Sequence, residues 1–84
     1  MRRSREKIIS DILNVCDEGE NVTRIVYRAN TNFTTIRSCL DTLIKNGLIE
    51  SQPGTPKLYK TTPKGMNIMI RLKALQKELD EIKL

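Results

Sequence analysis

The sequence contains no histidine and no tryptophan, and only one phenylalanine, two tyrosines and two cysteines. The usual four-ligand zinc sites are excluded, because Cys16 and Cys39 stand far apart and no histidine is available to complete a ligand set. Both cysteines fall near apolar positions of predicted helices, which favours buried thiols. The chain also lacks clustered carboxylates, a phosphate-binding loop and a nucleophile paired with a base. We therefore expect no enzyme, no catalytic residue, no metal and no cofactor.

Long apolar runs are missing as well. No stretch approaches the ~20 apolar residues that a membrane-spanning helix needs, and residues 1–20 have no uninterrupted apolar segment of the kind found in secretory signals. We therefore expect a cytoplasmic protein. With 84 residues and few aromatic side chains, we expect one small domain with a thin aliphatic core, to which a partner subunit adds burial.

Basic side chains are concentrated in one part of the chain. The whole sequence carries 15 lysines and arginines against 10 aspartates and glutamates, a net charge of +5. Residues 21–73 hold nine of the basic and two of the acidic side chains, whereas the segments on either side are each slightly acidic. Because a polyanion-binding surface requires such a concentration, nucleic-acid binding is favoured over a generic basic surface.

Apolar periodicity predicts three helices in the first half of the chain, over about residues 4–16, 22–29 and 33–46. A polar turn at 30–32 joins the second helix to the third. The residues suited to cap or stop these helices are Ser4, Gly19, Asn21 or Thr23, Asn32 and Gly47.

The third helix has one apolar side and one polar side. At about 100° per residue, the apolar stripe consists of Phe33, Ile36, Leu40, Leu43 and Ile44, with Cys39 at its edge. The opposite side carries Thr34, Thr35, Ser38, Asp41, Thr42 and Lys45, and Arg37 lies on the flank between the two. We expect the stripe to enter the core and the polar side to face outward.

A hairpin and a fourth helix complete the predicted elements. Strands at 48–50 and 58–61 flank a turn at 52–56 that is rich in proline and glycine, which is typical of a two-stranded wing. Thr62 is suited to cap the last helix, with Pro63 at its first position. The predicted fold is therefore mainly α with a small β-hairpin, a winged helix-turn-helix with a coiled-coil-like C-terminal helix.

Two apolar patches divide the last helix. Met66, Met69 and Ile70 are expected to pack on the domain. Further along, apolar residues recur every three or four positions as a heptad seam, which favours dimerisation over packing on the same chain. We thus predict a DNA-binding domain at 1–65 and a dimerisation helix at 66–84. The predicted dimerisation residues are Ile68, Leu72, Leu75, Leu79 and Ile82.

The second and third helices with their short turn form a helix-turn-helix, which places its second helix in the major groove of duplex DNA. Small hydroxyl side chains there suit base edges, and the flanking cations suit phosphates, so modest sequence discrimination is expected. The arginines of the second helix fit a phosphate contact and a solvated face equally well. The predicted DNA-binding residues are Arg24, Arg28, Thr34, Thr35, Arg37, Ser38, Thr42, Lys45, Lys57, Tyr59 and Lys60.

Three segments carry a family resemblance: TRIVYRANTNFTTIRSCLDTLIKNGLIE, the opening RSREKIISDIL and the later YKTTPKG. Together they resemble the small archaeal ten-kilodalton winged-helix DNA-binding proteins of the Sulfolobus type. The resemblance implies a nucleoid-associated homodimer, joined by an antiparallel coiled coil of the last helices, that acts on DNA as a chromatin protein or a transcriptional regulator. Thr61 departs from the leucine common in that family, which suggests weaker packing between strand and helix. The alternative is a winged-helix protein-interaction module without DNA binding.

Overall fold

The computed structural model describes residues 5–82 and confirms the predicted order of elements, a winged helix-turn-helix. The elements are α1 (Arg5–Val15), α2 (Val22–Arg28), α3 (Phe33–Lys45), β1 (Ile49–Gln52), β2 (Leu58–Thr61) and α4 (Pro63–Glu81). The bounds of α1, α2 and α3 lie within about a residue of those predicted, and α4 starts at Pro63 as predicted. The predicted cap Ser4 lies outside the described residues.

Side-chain caps start the helices that follow α1. The Asn21 side chain accepts a hydrogen bond from the Arg24 backbone N–H at 3.0 Å, so Asn21 rather than Thr23 caps α2. In the same way Asn32 accepts from the Thr35 N–H at 2.9 Å and caps α3. Each of these bonds satisfies a donor that the first helical turn leaves without a partner.

The ends of α2 and α3 share one hydrogen-bond pattern. The Thr31 N–H donates to the Val26 carbonyl at 3.2 Å, and the Leu48 N–H donates to the Leu43 carbonyl at 2.9 Å. Both bonds belong to Schellman motifs, which need a left-handed residue just after the helix. Asn30 supplies it after α2 with φ 53, and Gly47 after α3 with φ 72. The turn between the two helices is therefore specified by its own backbone hydrogen bonds.

The first strand of the hairpin begins one residue later and ends two residues later than predicted. β1 starts at Ile49 and continues through Ser51 and Gln52, because these residues pair with Tyr59 and Leu58 of β2. Gln52 therefore belongs to the strand and not to the turn, while Leu48 precedes the strand.

A third segment pairs with the outer edge of β2. The Glu20 N–H donates to the Tyr59 carbonyl at 3.0 Å, and the Tyr59 N–H donates to the Glu20 carbonyl at 2.8 Å. The start of α2 is therefore tied directly to the hairpin.

The core is aliphatic, as the scarcity of aromatic residues predicts. Its largest fully buried side chains are Ile12, Leu13, Ile25, Ile36, Ile49 and Cys16. The prediction that Phe33 belongs to the core stripe is wrong, because 46% of this residue is exposed. Phe33 is the first residue of α3, where the helix begins at the edge of the core, so part of its ring stays uncovered.

Helix α4 lies against α1 through one face only. Met69 is buried and Met66 is half-buried in the core cluster, and Lys73 Nζ donates to the Asn14 side chain of α1 at 3.2 Å. The prediction that Ile70 packs on the domain is wrong, since it is 59% exposed. It follows Met69 by about 100° around the helix and so points away from α1.

Two adjacent threonines join three helices. The Thr61 hydroxyl donates to the Leu13 carbonyl at 2.7 Å, and its backbone N–H donates to the Cys16 carbonyl at 3.0 Å, both at the end of α1. The Thr62 hydroxyl donates to the Gly47 carbonyl at 2.6 Å and accepts from the Gly65 N–H at 3.1 Å. At the position where the resembled family commonly has leucine, the buried Thr61 hydroxyl therefore satisfies a helix-end carbonyl.

We expect the Thr61→Val substitution to lower the free energy of unfolding by about 1–3 kcal/mol, because the isosteric valine leaves the buried Leu13 carbonyl without its donor. Urea unfolding followed by circular dichroism measures the change. The matched control Thr23→Val alters an exposed threonine and should cost much less. Equal effects of the two substitutions would contradict the role given to the Thr61 hydroxyl.

Candidate nucleic-acid interface

The outer face of α3 is polar and open to solvent. Because Ile36, Leu40 and Leu43 turn the opposite face into the core, the hydroxyl and charged side chains point outward. The exposed residues of this face are Thr34, Arg37, Ser38, Asp41, Thr42 and Lys45. Of the eleven residues predicted to bind DNA, all are exposed except Thr35 and Tyr59, which are half-buried.

The groups on this face differ in their freedom to bind a ligand. The Thr42 hydroxyl donates to the Ser38 carbonyl at 3.2 Å, so its proton is engaged within the helix and the exposed hydroxyl is left to accept a hydrogen bond. Within residues 5–82, Arg37 and Lys45 form no ion pair with a carboxylate. These two cations are therefore available to an anionic partner.

Helix α1 contributes a cation that the predicted site did not include. Arg5 and Ile8 line a shallow depression together with Thr34, Ser38 and Cys39 of α3. The sequence signal for Arg5 is the basic cluster at the start of the chain, whose other arginines, Arg2 and Arg3, lie outside the described residues. Arg5 thus extends the basic surface beside the N-terminal half of α3.

The two arginines of α2 share one carboxylate, which sequence reasoning missed. Glu20 Oε2 lies 3.3 Å from Arg24 Nε and 3.8 Å from Arg28 Nη1. The spacing carried a signal for one of them, since Glu20 precedes Arg24 by four residues at the start of the predicted helix, a separation at which opposite charges lie close together. Glu20 therefore neutralises part of the charge that was expected to face phosphate.

The hairpin presents two lysines of different surroundings. Lys60 is exposed and stands opposite Glu50 in the register of the two strands. Lys57 Nζ lies 5.6 Å from the centre of the Tyr59 ring, a cation–π distance. The Tyr59 ring also packs against the core, so much of it is turned away from solvent.

The two thiols differ in burial. Burial, together with the weaker effect of the neighbouring Glu20 and Asp17 carboxylates, raises the pKa of Cys16 from 9.0 to about 12. Burial also raises the pKa of the half-buried Cys39, against an opposing effect of the Arg5 charge. Among residues 5–82, no three His, Cys, Asp or Glu side chains are grouped so as to hold a metal ion. No helix in the same range is long and apolar enough to cross a membrane.

Comparison with known proteins gives concordant matches. A family model of the winged helix-turn-helix matches residues 2–80. The structure of Sso10a-2, a DNA-binding protein from Sulfolobus solfataricus, superposes with a TM-score of 0.88 at 28% identity, over 93% of this chain and 83% of that one. The expected resemblance to the small archaeal winged-helix proteins is thereby confirmed.

Two further matches are more limited. An uncharacterized protein from Methanocaldococcus jannaschii is 40% identical over 50 residues, and the match spans 58% of this chain but only 52% of that relative. Sco5413, a MarR family transcriptional regulator from Streptomyces coelicolor, superposes with a TM-score of 0.77 at 18% identity, over 86% of this chain and 54% of that one. This last likeness shows a shared fold.

We expect Cys39 to react with an aromatic disulfide reagent in the folded protein, whereas Cys16 reacts only as fast as the chain unfolds. A pKa of about 12 leaves Cys16 roughly a thousandfold less ionised than an ordinary thiol, and its side chain is inaccessible. The release of the thiol chromophore from the variants Cys16→Ala and Cys39→Ala separates the two rates. Equal rates in the folded state would be inconsistent with the burial of Cys16.

Proposed function

Since the chain belongs to the winged helix-turn-helix family, we propose that it is a double-stranded DNA-binding protein that acts as a homodimer. In this proposal α3 enters the major groove and the hairpin follows the backbone or the adjacent minor groove. The observation that carries the proposal is the exposed hydroxyl-rich face of α3, whose Arg37 and Lys45 form no ion pair with a carboxylate of residues 5–82.

The side chains of α3 divide by their chemistry. Thr34 and Ser38 are exposed near the start of the helix, where recognition helices approach base edges. Arg37 suits a guanine or a phosphate, and Lys45 at the far end suits a phosphate. Asp41 repels phosphates and tolerates only a donor such as a cytosine amino group. Because α3 has few side chains that form two hydrogen bonds to one base, it contributes more to the shape match and to the position of the protein on DNA than to sequence discrimination.

Cations around α3 supply most of the affinity. Arg5 lies beside the N-terminal half of α3, and Lys57 and Lys60 extend the basic surface along the hairpin. Phosphate contacts of this kind position a protein on DNA without reading sequence. Affinity from phosphate contacts with modest base discrimination is compatible with a chromatin protein and with a regulator that recognises paired half-sites. Selection of bound duplexes from a random pool distinguishes these two roles.

Dimerisation is proposed through α4. The first two residues of the predicted seam already have contacts within the chain, since Ile68 packs half-buried against the core and Leu72 lies beside α1. The seam continues on the neighbouring face with Leu75 at 51%, Leu79 at 53% and Ile82 at 58% exposure. Exposed apolar residues at heptad spacing gain burial from a second helix. Residues 1–65 then form the DNA-binding body and residues 66–84 the pairing helix.

The proposed DNA binding is tested by fluorescence anisotropy with a labelled duplex at rising salt. We expect the logarithm of the affinity to fall linearly with the logarithm of salt concentration, by about 0.9 for each neutralised phosphate. The pair Lys57→Gln and Lys60→Gln should lower the magnitude of that slope by about two. The control pair Arg71→Gln and Lys77→Gln, on exposed positions of α4, should leave it nearly unchanged.

Absence of binding at low salt would contradict the proposal and favour the protein-interaction module. Chemical-shift mapping separates the two directly. DNA should shift the resonances of α3 and the hairpin, whereas a protein-interaction module should leave both unmoved by DNA.

We expect Glu20→Gln to tighten duplex binding by about three- to tenfold at low salt, because it releases Arg24 and Arg28 from a shared carboxylate. The control Glu18→Gln removes the same charge from an exposed position two residues away. Anisotropy titrations of both variants provide the measurement. If both variants gain affinity equally, net charge alone explains the effect and the arginines have no special part.

We expect the protein to have a solution mass of twice one chain, and the pair Leu75→Glu and Leu79→Glu to yield monomer or unfolded protein, because charges replace the exposed seam. Light scattering after gel filtration measures the mass. The control pair Ile70→Glu and Ala74→Glu has the same spacing and charge on the opposite, exposed face and should remain dimeric. A wild-type monomer at high concentration refutes the proposed dimer.

A further inference from the structure

Two of the three aromatic side chains lie together on the surface. Tyr27 is 86% exposed and Phe33 is 46% exposed, and both line one open depression between α2 and α3. The core of this chain has few aromatic residues, and each ring would bury more apolar surface there than it does at the protein surface. Large apolar groups left in solvent beside one another are typical of a contact surface.

The depression has a defined shape, because the turn beneath it is held by backbone hydrogen bonds. The Asn30 N–H donates to the Tyr27 carbonyl at 3.2 Å, and the Thr31 N–H donates to the Val26 carbonyl at 3.2 Å. The Asn32 cap then fixes the first turn of α3, on which Phe33 stands. The aromatic pair is therefore presented by a specified backbone and does not depend on a flexible loop.

The chemistry around the rings matches the edge of a DNA groove. The remaining lining residues are Thr23, Val26, Arg28, Asn30 and Thr31, which include three hydrogen-bonding side chains and one cation, Arg28, whose charge Glu20 shares from outside the depression. Phe33 stands at the first position of α3, the end of a recognition helix that meets base edges. The surface is thus apolar at its centre, suited to phosphate at its rim, and continuous with the polar face of α3.

We propose that Phe33, flanked by Tyr27, contacts the C5-methyl group of thymine in the major groove. The methyl group is the one apolar feature on a base edge there, and phenylalanine is among the side chains that pack against it. This inference rests on the proposed DNA binding and adds a base preference to it. The hydroxyl-rich face of α3 then sets register, while the aromatic pair favours thymine at the position that it meets.

The test replaces thymidine by deoxyuridine, which removes the methyl group and keeps every hydrogen-bonding group and phosphate. Anisotropy titrations compare two duplexes of alternating adenine with either thymine or uracil, at one low salt concentration. We expect the wild-type protein to bind the thymine duplex about fourfold more tightly for each methyl group it contacts, the factor contributed by burying one such group. The Phe33→Ser variant should bind the two duplexes equally.

Two further variants sharpen the assignment. Ile70→Ser removes an apolar side chain outside the depression whose exposure, 59%, lies between those of Phe33 and Tyr27, and it should keep the thymine preference. Tyr27→Ser should reduce it, because Tyr27 flanks the contact. Thermal melting of each variant checks that it is folded, and the wild-type comparison of the two duplexes stands even if a variant is not.

The outcomes separate this inference from the proposed function. Equal wild-type binding to both duplexes overturns the thymine contact while DNA binding stands. A thymine preference that persists in folded Phe33→Ser also overturns it, since another group then reads the methyl. If no duplex binds at low salt, the proposed function fails and this inference fails with it, and the depression belongs to a protein contact.

Discussion

The junction at Thr61 and Thr62 is the constraint on which the arrangement of the helices depends. Helix ends leave carbonyl groups without hydrogen-bond partners. In so small a domain few other buried groups can donate to them. Thr61 satisfies two carbonyls at the end of α1, and Thr62 satisfies Gly47 after α3 while capping α4. These two adjacent residues therefore fix the positions of the end of α1, the turn after α3 and the start of α4 relative to one another.

The direction of α4 follows from this junction. Gly65 must approach closely, because a Cβ there would overlap the Leu48 carbonyl oxygen and crowd Thr61 Cγ2. From that contact α4 runs along α1, buries Met69 and leaves the seam at Leu75 and Leu79 on a neighbouring face. The proposed dimer interface is thus positioned by hydrogen bonds at the opposite end of the helix, and its orientation relative to α3 is set within a single chain.

The carboxylate of Glu20 reduces the positive charge of the proposed DNA surface. Glu20 holds Arg24 and Arg28, and its backbone pairs with Tyr59 of the hairpin, so the carboxylate stands between two parts of the basic surface. DNA phosphates would have to replace that carboxylate, which costs affinity but orders the arginines before contact. Arg37 and Lys45 on α3 carry no such restraint among the described residues. The proposed DNA surface therefore contains two kinds of cation: those of α3, which have no carboxylate partner among the described residues, and those of α2, which share Glu20.

Local patterns in the sequence determined most of the elements. Periodic apolar residues specify α1 to α4, and Asn32, Gly47 and Thr62 specify where helices begin and end, because capping acts over three or four residues. The polar face of α3 was predictable for the same reason. Tertiary structure alone decided that Phe33 and Ile70 face solvent, that Thr61 bonds to α1 and that Glu20 meets the hairpin. These outcomes depend on which elements cover a given position, and that is a property of packing between segments distant in the chain.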